Sequence, residues 1–201
     1  MASEYDVEVE WKAFELHPGV PPEGMEVPFS KERIAAGRSH FEQLAAEAGL
    51  PVTERTHWYD SGPAHEGTIW AKQFDKADEF KRAVLAAYFV EGRNIGSSDV
   101  LVDLAHSIGL NGDNLRESLN SRQFRERVAA EFAEARMLGI TSVPTFIAGG
   151  YALVGAHPYE SFHKLMAAIG GVRRQPLVED SSVRRFGGTN DLLGSGPKPI
   201  E

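Results

Sequence analysis

Gly139-Ile140-Thr141-Ser142-Val143-Pro144-Thr145-Phe146-Ile147-Ala148-Gly149-Gly150-Tyr151-Ala152-Leu153-Val154 is the stretch whose reading decides the fold. Gly139 closes the helical pattern before it, because the left-handed residue that ends a helix costs glycine no Cβ clash. Thr145–Ala148 then reads as a short buried strand, Gly149-Gly150 as a two-residue hairpin turn, and Tyr151–Val154 as the returning strand. Pro144 stands at the entrance to the first strand, where a missing backbone N–H is tolerated.

Working outward, the residues before Gly139 are helical in pattern. Phe124, Val128, Phe132 and Ala135 share one face, which predicts one long helix over about 121–138 with a charged opposite face. After the hairpin, Gly155-Ala156-His157-Pro158 makes a loop, and Phe162, Leu165, Met166 and Ile169 fall on one side of a final amphipathic helix. Upstream lies a block of further helices. One runs from an N-cap at Ser30 to about Gly49 with Ile34, Phe41, Leu44, Ala45 and Ala48 as its stripe. A second follows Pro63 and carries Ile69, Trp70 and Phe74. Phe80, Val84, Leu85, Tyr88 and Phe89 mark a third over about 77–91, and Val100, Leu101, Leu104, Ala105 and Ile108 a fourth, stopped by Gly109.

The chain opens differently. Val7, Val9 and Trp11 alternate with Glu8, Glu10 and Lys12, the period of a strand, which predicts a strand over residues 6–14. The prolines of His17-Pro18-Gly19-Val20-Pro21-Pro22-Glu23-Gly24 end it. Beyond Gly170 the chain turns polar and rich in glycine, proline and charge. The resulting order is strand, helical block, long helix, hairpin, terminal helix. This is an α/β domain over residues 1–170 with a helical insertion at about 30–120, followed by a polar tail over 171–201.

Composition narrows the function. With 201 residues, 42% of them hydrophobic, the chain can bury one sizeable core. A net charge of -8 gives no electrostatic attraction to nucleic acid or to an anionic membrane, and neither is expected as a partner. No apolar run approaches the ~18 residues needed to cross a bilayer, and the first residues lack the basic and apolar regions of a signal peptide, so the expected location is cytoplasmic. Seven histidines are present, none at i and i+4 spacing, and no metal or other cofactor is expected. There is no Gly-x-Ser-x-Gly elbow and no phosphate-binding loop. Above all, the chain has no cysteine, which removes disulfides, thiolate catalysis and thiolate metal sites from the chemistry of its own residues.

The run Gly139-Ile140-Thr141-Ser142-Val143-Pro144-Thr145-Phe146, the glycine-turn hairpin and Val154-Gly155-Ala156-His157-Pro158 together resemble the second half of the DsbA family of thioredoxin folds. Phe14-Glu15-Leu16-His17-Pro18 and Ala87-Tyr88-Phe89-Val90-Glu91-Gly92-Arg93-Asn94-Ile95 resemble its FrnE-like branch, a neighbour of 2-hydroxychromene-2-carboxylate isomerases and kappa-class glutathione transferases. The resemblance covers roughly residues 6–170. It implies a thioredoxin-like fold with an inserted helical subdomain and a cis bond before Pro144. It further implies that the exposed backbone of Val143 pairs with an extended peptide. A trans proline opening a strand is the plain alternative for Pro144.

The departure from the family is as informative. Its members begin with a strand and a helix carrying Cys-x-x-Cys, whose first thiol is activated by the helix N-terminus. Here the chain opens at what corresponds to the second strand, so the resemblance implies that the first βα unit is missing, and with it every catalytic residue. The expected function is a thiol-disulfide oxidoreductase scaffold that binds cysteine-containing peptides or proteins through Ser142, Val143, Pro144, Thr145 and His157 and is redox-inactive as written. The alternatives are a glutathione-dependent isomerase or transferase and a non-catalytic peptide-binding module. An exchanged homodimer is one way to fill the gap in the sheet. Trp58 and Tyr59 are read as wall residues of an apolar cleft.

Overall fold

The computed structural model describes residues 1–29, 41–53 and 56–174. Seven helices are present among them. Residues 41–47 are helical and form the described part of α1. The others are α2 (Gly62–Lys72), α3 (Ala77–Phe89), α4 (Ser98–Ser107), α5 (Gly112–Asn120), α6 (Arg125–Met137) and α7 (Tyr159–Ala168). Two antiparallel pairs accompany them: β1 (Met25–Glu26) with β2 (His57–Trp58), and β3 (Thr145–Ala148) with β4 (Tyr151–Val154). The expected Ser30 cap and Ile34 lie outside the described residues.

Residues 10–158 form one compact unit. Its core lies among α2, α3, α4 and α5, where Phe80, Leu101 and Leu115 are fully buried beside Trp70, Ala71, Ala87 and Ala105. The packing is close enough to dictate a glycine: a Cβ at Gly67 of α2 would stand 2.8 Å from the Phe80 ring of α3. Pro63 sits in the first turn of α2, where its absent N–H costs nothing. α5 is capped by Asn111, whose Oδ1 accepts from the N–H groups of Asp113 (3.0 Å) and Asn114 (3.3 Å).

Three expectations need correction. The long helix does not start at Ser121; α6 starts at Arg125, and a separate α5 precedes it. Between them Ser121 Oγ donates to the Glu117 carbonyl, and Arg122 takes a positive φ of 55°, which interrupts the helical path. α2 stops at Lys72, so Phe74 lies beyond it and is 47% exposed.

The third concerns the opening segment. Residues 7–15 carry no regular secondary structure, although their sequence alternates like a strand. Alternation supplies faces, but a strand also needs a neighbouring backbone, and among the described residues none lies alongside. Side chains of α6 hold residues 10–15 instead. Glu131 Oε2 accepts the Ala13 N–H at 2.8 Å, Lys12 meets Glu134 at 3.5 Å, and Arg136 meets Glu15 at 3.3 Å. Buried Ala13 packs with Val128, Phe132 and Ile69.

Among the described residues, 1–9 and 159–174 form a second unit. Asp6 N–H donates to the Val172 carbonyl and Arg174 N–H to that of Glu4, both at 2.8 Å, so residues 172–174 pair with the chain's opening. Tyr5 is 3% exposed, its hydroxyl 2.9 Å from His163 Nδ1 and 3.1 Å from the donating Arg173 Nε. Among the described residues no helix is long and apolar enough to cross a membrane.

Candidate peptide site at the entry to the hairpin

α6 ends at Gly139, which has φ +73°, and the chain then runs through Thr141 and Ser142 to a cis Val143–Pro144 bond before entering β3. Val143 is 47% exposed and Pro144 is exposed. Ser142 and Thr145 are half-buried and tied together, Thr145 Oγ1 donating to the Ser142 carbonyl at 2.7 Å. This bond closes the turn from the inside and leaves the outer side of Val143 and Pro144 open. The Pro144 carbonyl accepts the Gly155 N–H at 2.7 Å.

The register explains why His157 belongs here. Thr145 pairs with Val154, so the end of β4 lies beside the start of β3. His157 Nε2 is 3.0 Å from the Val154 carbonyl. A carbonyl only accepts, so Nε2 is the donor in this contact. The five residues expected to form the site thus gather at one end of the hairpin. Alternate backbone groups of β3 point away from β4, and no other strand lies on that side among the described residues. The surroundings are uncharged: no Asp, Glu, Lys or Arg occurs between Ile140 and Pro158.

Elsewhere the apolar wall is already covered by the chain itself. The His17 ring stacks on Trp58 at 3.5 Å and 9°, and Phe29 meets Trp58 edge-on at 5.7 Å. No group of three His, Asp or Glu among the described residues is placed to hold a metal.

Sequence reasoning missed two groups on α2, the half-buried His65 and the buried Glu66. His65 faces the Phe14 backbone, Glu131 and Asp60, and burial holds its pKa below the ordinary value. Glu66 is 3% exposed, meets Arg122 Nη2 at 3.0 Å through Oε1, and has no hydrogen-bond partner on Oε2; burial raises its pKa. Apart from Asp60, five residues before His65, their partners are distant in sequence, so no local pattern marks them.

A model of the DSBA-like thioredoxin domain matches residues 1–167. The chain belongs to that family. As a DsbA-like thioredoxin domain it is α/β with a helical insert, and the match takes in the helical block, the hairpin and α7. Uncharacterized protein YwbO of Bacillus subtilis (strain 168) is 33% identical over 169 residues, which is 81% of this chain and 82% of that one. The structure of the probable DsbA oxidoreductase SCO1869 from Streptomyces coelicolor is similar with a TM-score of 0.72 at 28% identity, over 83% of this chain and 76% of that one. A 2-hydroxychromene-2-carboxylate isomerase shares the fold, with a TM-score of 0.65 at 17% identity over 83% and 81%.

Proposed function

We propose that this DsbA-like domain is the peptide-presenting part of a FrnE-like thiol-disulfide oxidoreductase, binding an extended cysteine-containing peptide along Val143, Pro144 and the open edge of β3. The observation that carries the reading is the exposed Val143–Pro144 pair at the start of a strand that, among the described residues, has no second neighbour. Main-chain pairing to such an edge supplies affinity for peptides in general, and the side chains beside it supply selectivity. The similarity to a probable DsbA oxidoreductase at 28% identity supports the same class. The exchanging thiolate comes from outside these 201 residues, because none of them is cysteine. On this reading His157 and the Ser142 hydroxyl supply polar contacts to the peptide. A cytoplasmic setting is part of the proposal.

The test is binding of a fluorescent extended peptide containing one cysteine, and of its serine counterpart, to the full chain. Wild type binds both, because recognition is through backbone. Val143→Pro, which removes an N–H, and Ile147→Lys, which places a charge on the edge strand, each weaken binding roughly tenfold or more. Equal binding by all three proteins overturns the proposal. Insulin reduction by the chain alone stays at background, since no thiol is present.

A further inference from the structure

Ile147 stands where the unpaired edge of β3 meets the open face of the hairpin. The Gly155 N–H donates to the Pro144 carbonyl at 2.7 Å, which makes Pro144 and Gly155 a hydrogen-bonded pair. In an antiparallel ladder such pairs alternate with unbonded ones. With Thr145 opposite Val154, Phe146 opposite Leu153, Ile147 opposite Ala152 and Ala148 opposite Tyr151, the backbones of Phe146 and Ala148 turn towards β4. Thr145 and Ile147 therefore aim their N–H and C=O groups the other way, to the side on which no further strand lies among the described residues. Paired residues share a face of the hairpin and successive ones alternate. Thr145, Ile147, Ala152 and Val154 thus lie on one face, where Ile147 and Val154 are 50% and 57% exposed and Ala152 is exposed as well. The opposite face is more covered, with Phe146, Ala148 and Leu153 half-buried. The two strand residues that offer their backbone to a peptide are the same two whose side chains lie on the open face.

Resting on the peptide-binding reading above, we propose that Ile147 determines the specificity of this edge, and that the peptides it takes are uncharged, strand-forming segments with an aliphatic side chain beside Ile147. A peptide paired to β3 brings every second side chain onto the Ile147 face, with Cβ atoms about 5 Å from those of Ile147 or Thr145. An aliphatic side chain there covers part of Ile147 and removes apolar surface from water. A carboxylate in the same place gives up hydration against Ile147 and meets no counter-charge within the hairpin, since no Asp, Glu, Lys or Arg occurs between Ile140 and Pro158. Thr145 offers no hydroxyl proton in compensation, because Oγ1 donates to the Ser142 carbonyl at 2.7 Å. Selection is by rejection of charge at alternate peptide positions. The net charge of -8 adds a penalty for any acidic peptide, which depends on total charge and not on position.

The experiment compares three fluorescent peptides on the full chain by anisotropy. One has only threonine and valine around a central cysteine; the other two carry a pair of glutamates, on one or the other alternating set of positions. The two acidic peptides have the same net charge, so general repulsion cancels between them. Wild type should bind the uncharged peptide about fivefold tighter than the acidic peptide whose glutamates fall on the Ile147 face. In Ile147→Lys the order of those two reverses, the other acidic peptide gains nothing relative to the uncharged one, and the reversal fades at high salt. Should that variant fail to fold, Ile147→Glu with lysine pairs in the peptides gives the same pattern with the signs exchanged. Equal binding of all three peptides by wild type overturns the inference, as does a charge variant that shifts both charged peptides alike. In either case the peptide-binding reading stands; if no peptide binds at all, that reading falls and this inference with it.

Discussion

The Glu66 carboxylate on α2 meets the Arg122 guanidinium at 3.0 Å, with the acid almost wholly buried and the base half in solvent. The pair joins α2 to the turn between α5 and α6, where Arg122 has φ +55°. It is unequal: the arginine keeps much of its hydration, whereas the carboxylate has given up its own and leaves Oε2 without a partner. Burial raises the Glu66 pKa above its ordinary 4.5, against the lowering pull of Arg122 and Arg125. A raised acid pKa means that the folded state takes up the proton more readily than the unfolded one. The charge therefore costs stability progressively as pH rises from 4.5 through the folded value. Glu66→Gln, which keeps an acceptor for Arg122, is expected to be as stable as wild type near pH 4 and more stable at neutral pH by on the order of 1 kcal/mol. Urea unfolding at both pH values checks the sign; a variant that loses stability at neutral pH contradicts it.

Leu115 has no exposed surface and lies in the shared core of α2, α4 and α5. Leu115→Ala should cost about 3–4 kcal/mol through lost transfer and an unfilled cavity, read as a lower urea midpoint at constant slope.

At Gly67 the expected cost has another origin. An alanine Cβ would stand 2.8 Å from Phe80, itself fully buried and unable to give way outward. Overpacking should outweigh the better helix propensity of alanine, with a net loss of about 1–3 kcal/mol. Gly67→Ala paired with Phe80→Leu should recover part of that loss, and a double-mutant cycle measures the coupling.

The α5 cap offers a smaller, cleaner effect. Asn111→Ala removes two accepted N–H bonds and should cost about 1 kcal/mol, while Asn111→Asp should be close to neutral or slightly stabilising because the anion faces a helix N-terminus. Thermal unfolding of the two variants side by side distinguishes them.

Tyr5→Phe removes a hydroxyl shared by His163 and Arg173 within the smaller unit. The loss should be about 1–2 kcal/mol in local stability, and it should appear as faster amide exchange at Asp6 and Arg174, whose N–H groups close that pairing.

Much of this was legible in the sequence, and the failures share one cause. The hairpin could be read because Gly149-Gly150 specifies its own turn and Thr145–Val154 needs no distant partner to be recognised. α3 and α4 could be read because Phe80, Val84, Leu101 and Leu104 repeat at helical spacing. That residues 142–145 and 157, proposed as the site, lie at one end of the hairpin could be read because the hairpin folds them together within a short span. By contrast, α5 has only Leu115 and Leu119 as apolar markers in a polar run, too few to show a period. The break at Arg122 coincides with a contact to Glu66, and the packing of His65 on Phe132 joins α2 to α6, so neither leaves a local pattern. The opening segment shows the limit most clearly: Val7, Val9 and Trp11 alternate as a strand would, yet pairing is a property of two segments, and only one was in view.

The charge-free run from Thr141 to Pro158 bears on how the protein behaves in bulk. Strands exposed at an edge are ordinarily guarded by a lysine, a glutamate or an inward-turned charge that spoils their pairing with a copy. This hairpin has no such guard, and Ile147 and Val154 are 50% and 57% exposed on its surface. Concentrated solutions should therefore cloud in a manner set by this one hairpin, with net charge keeping molecules apart only while salt is low. Solubility, usually treated as a property of the whole surface, becomes here the business of a dozen residues.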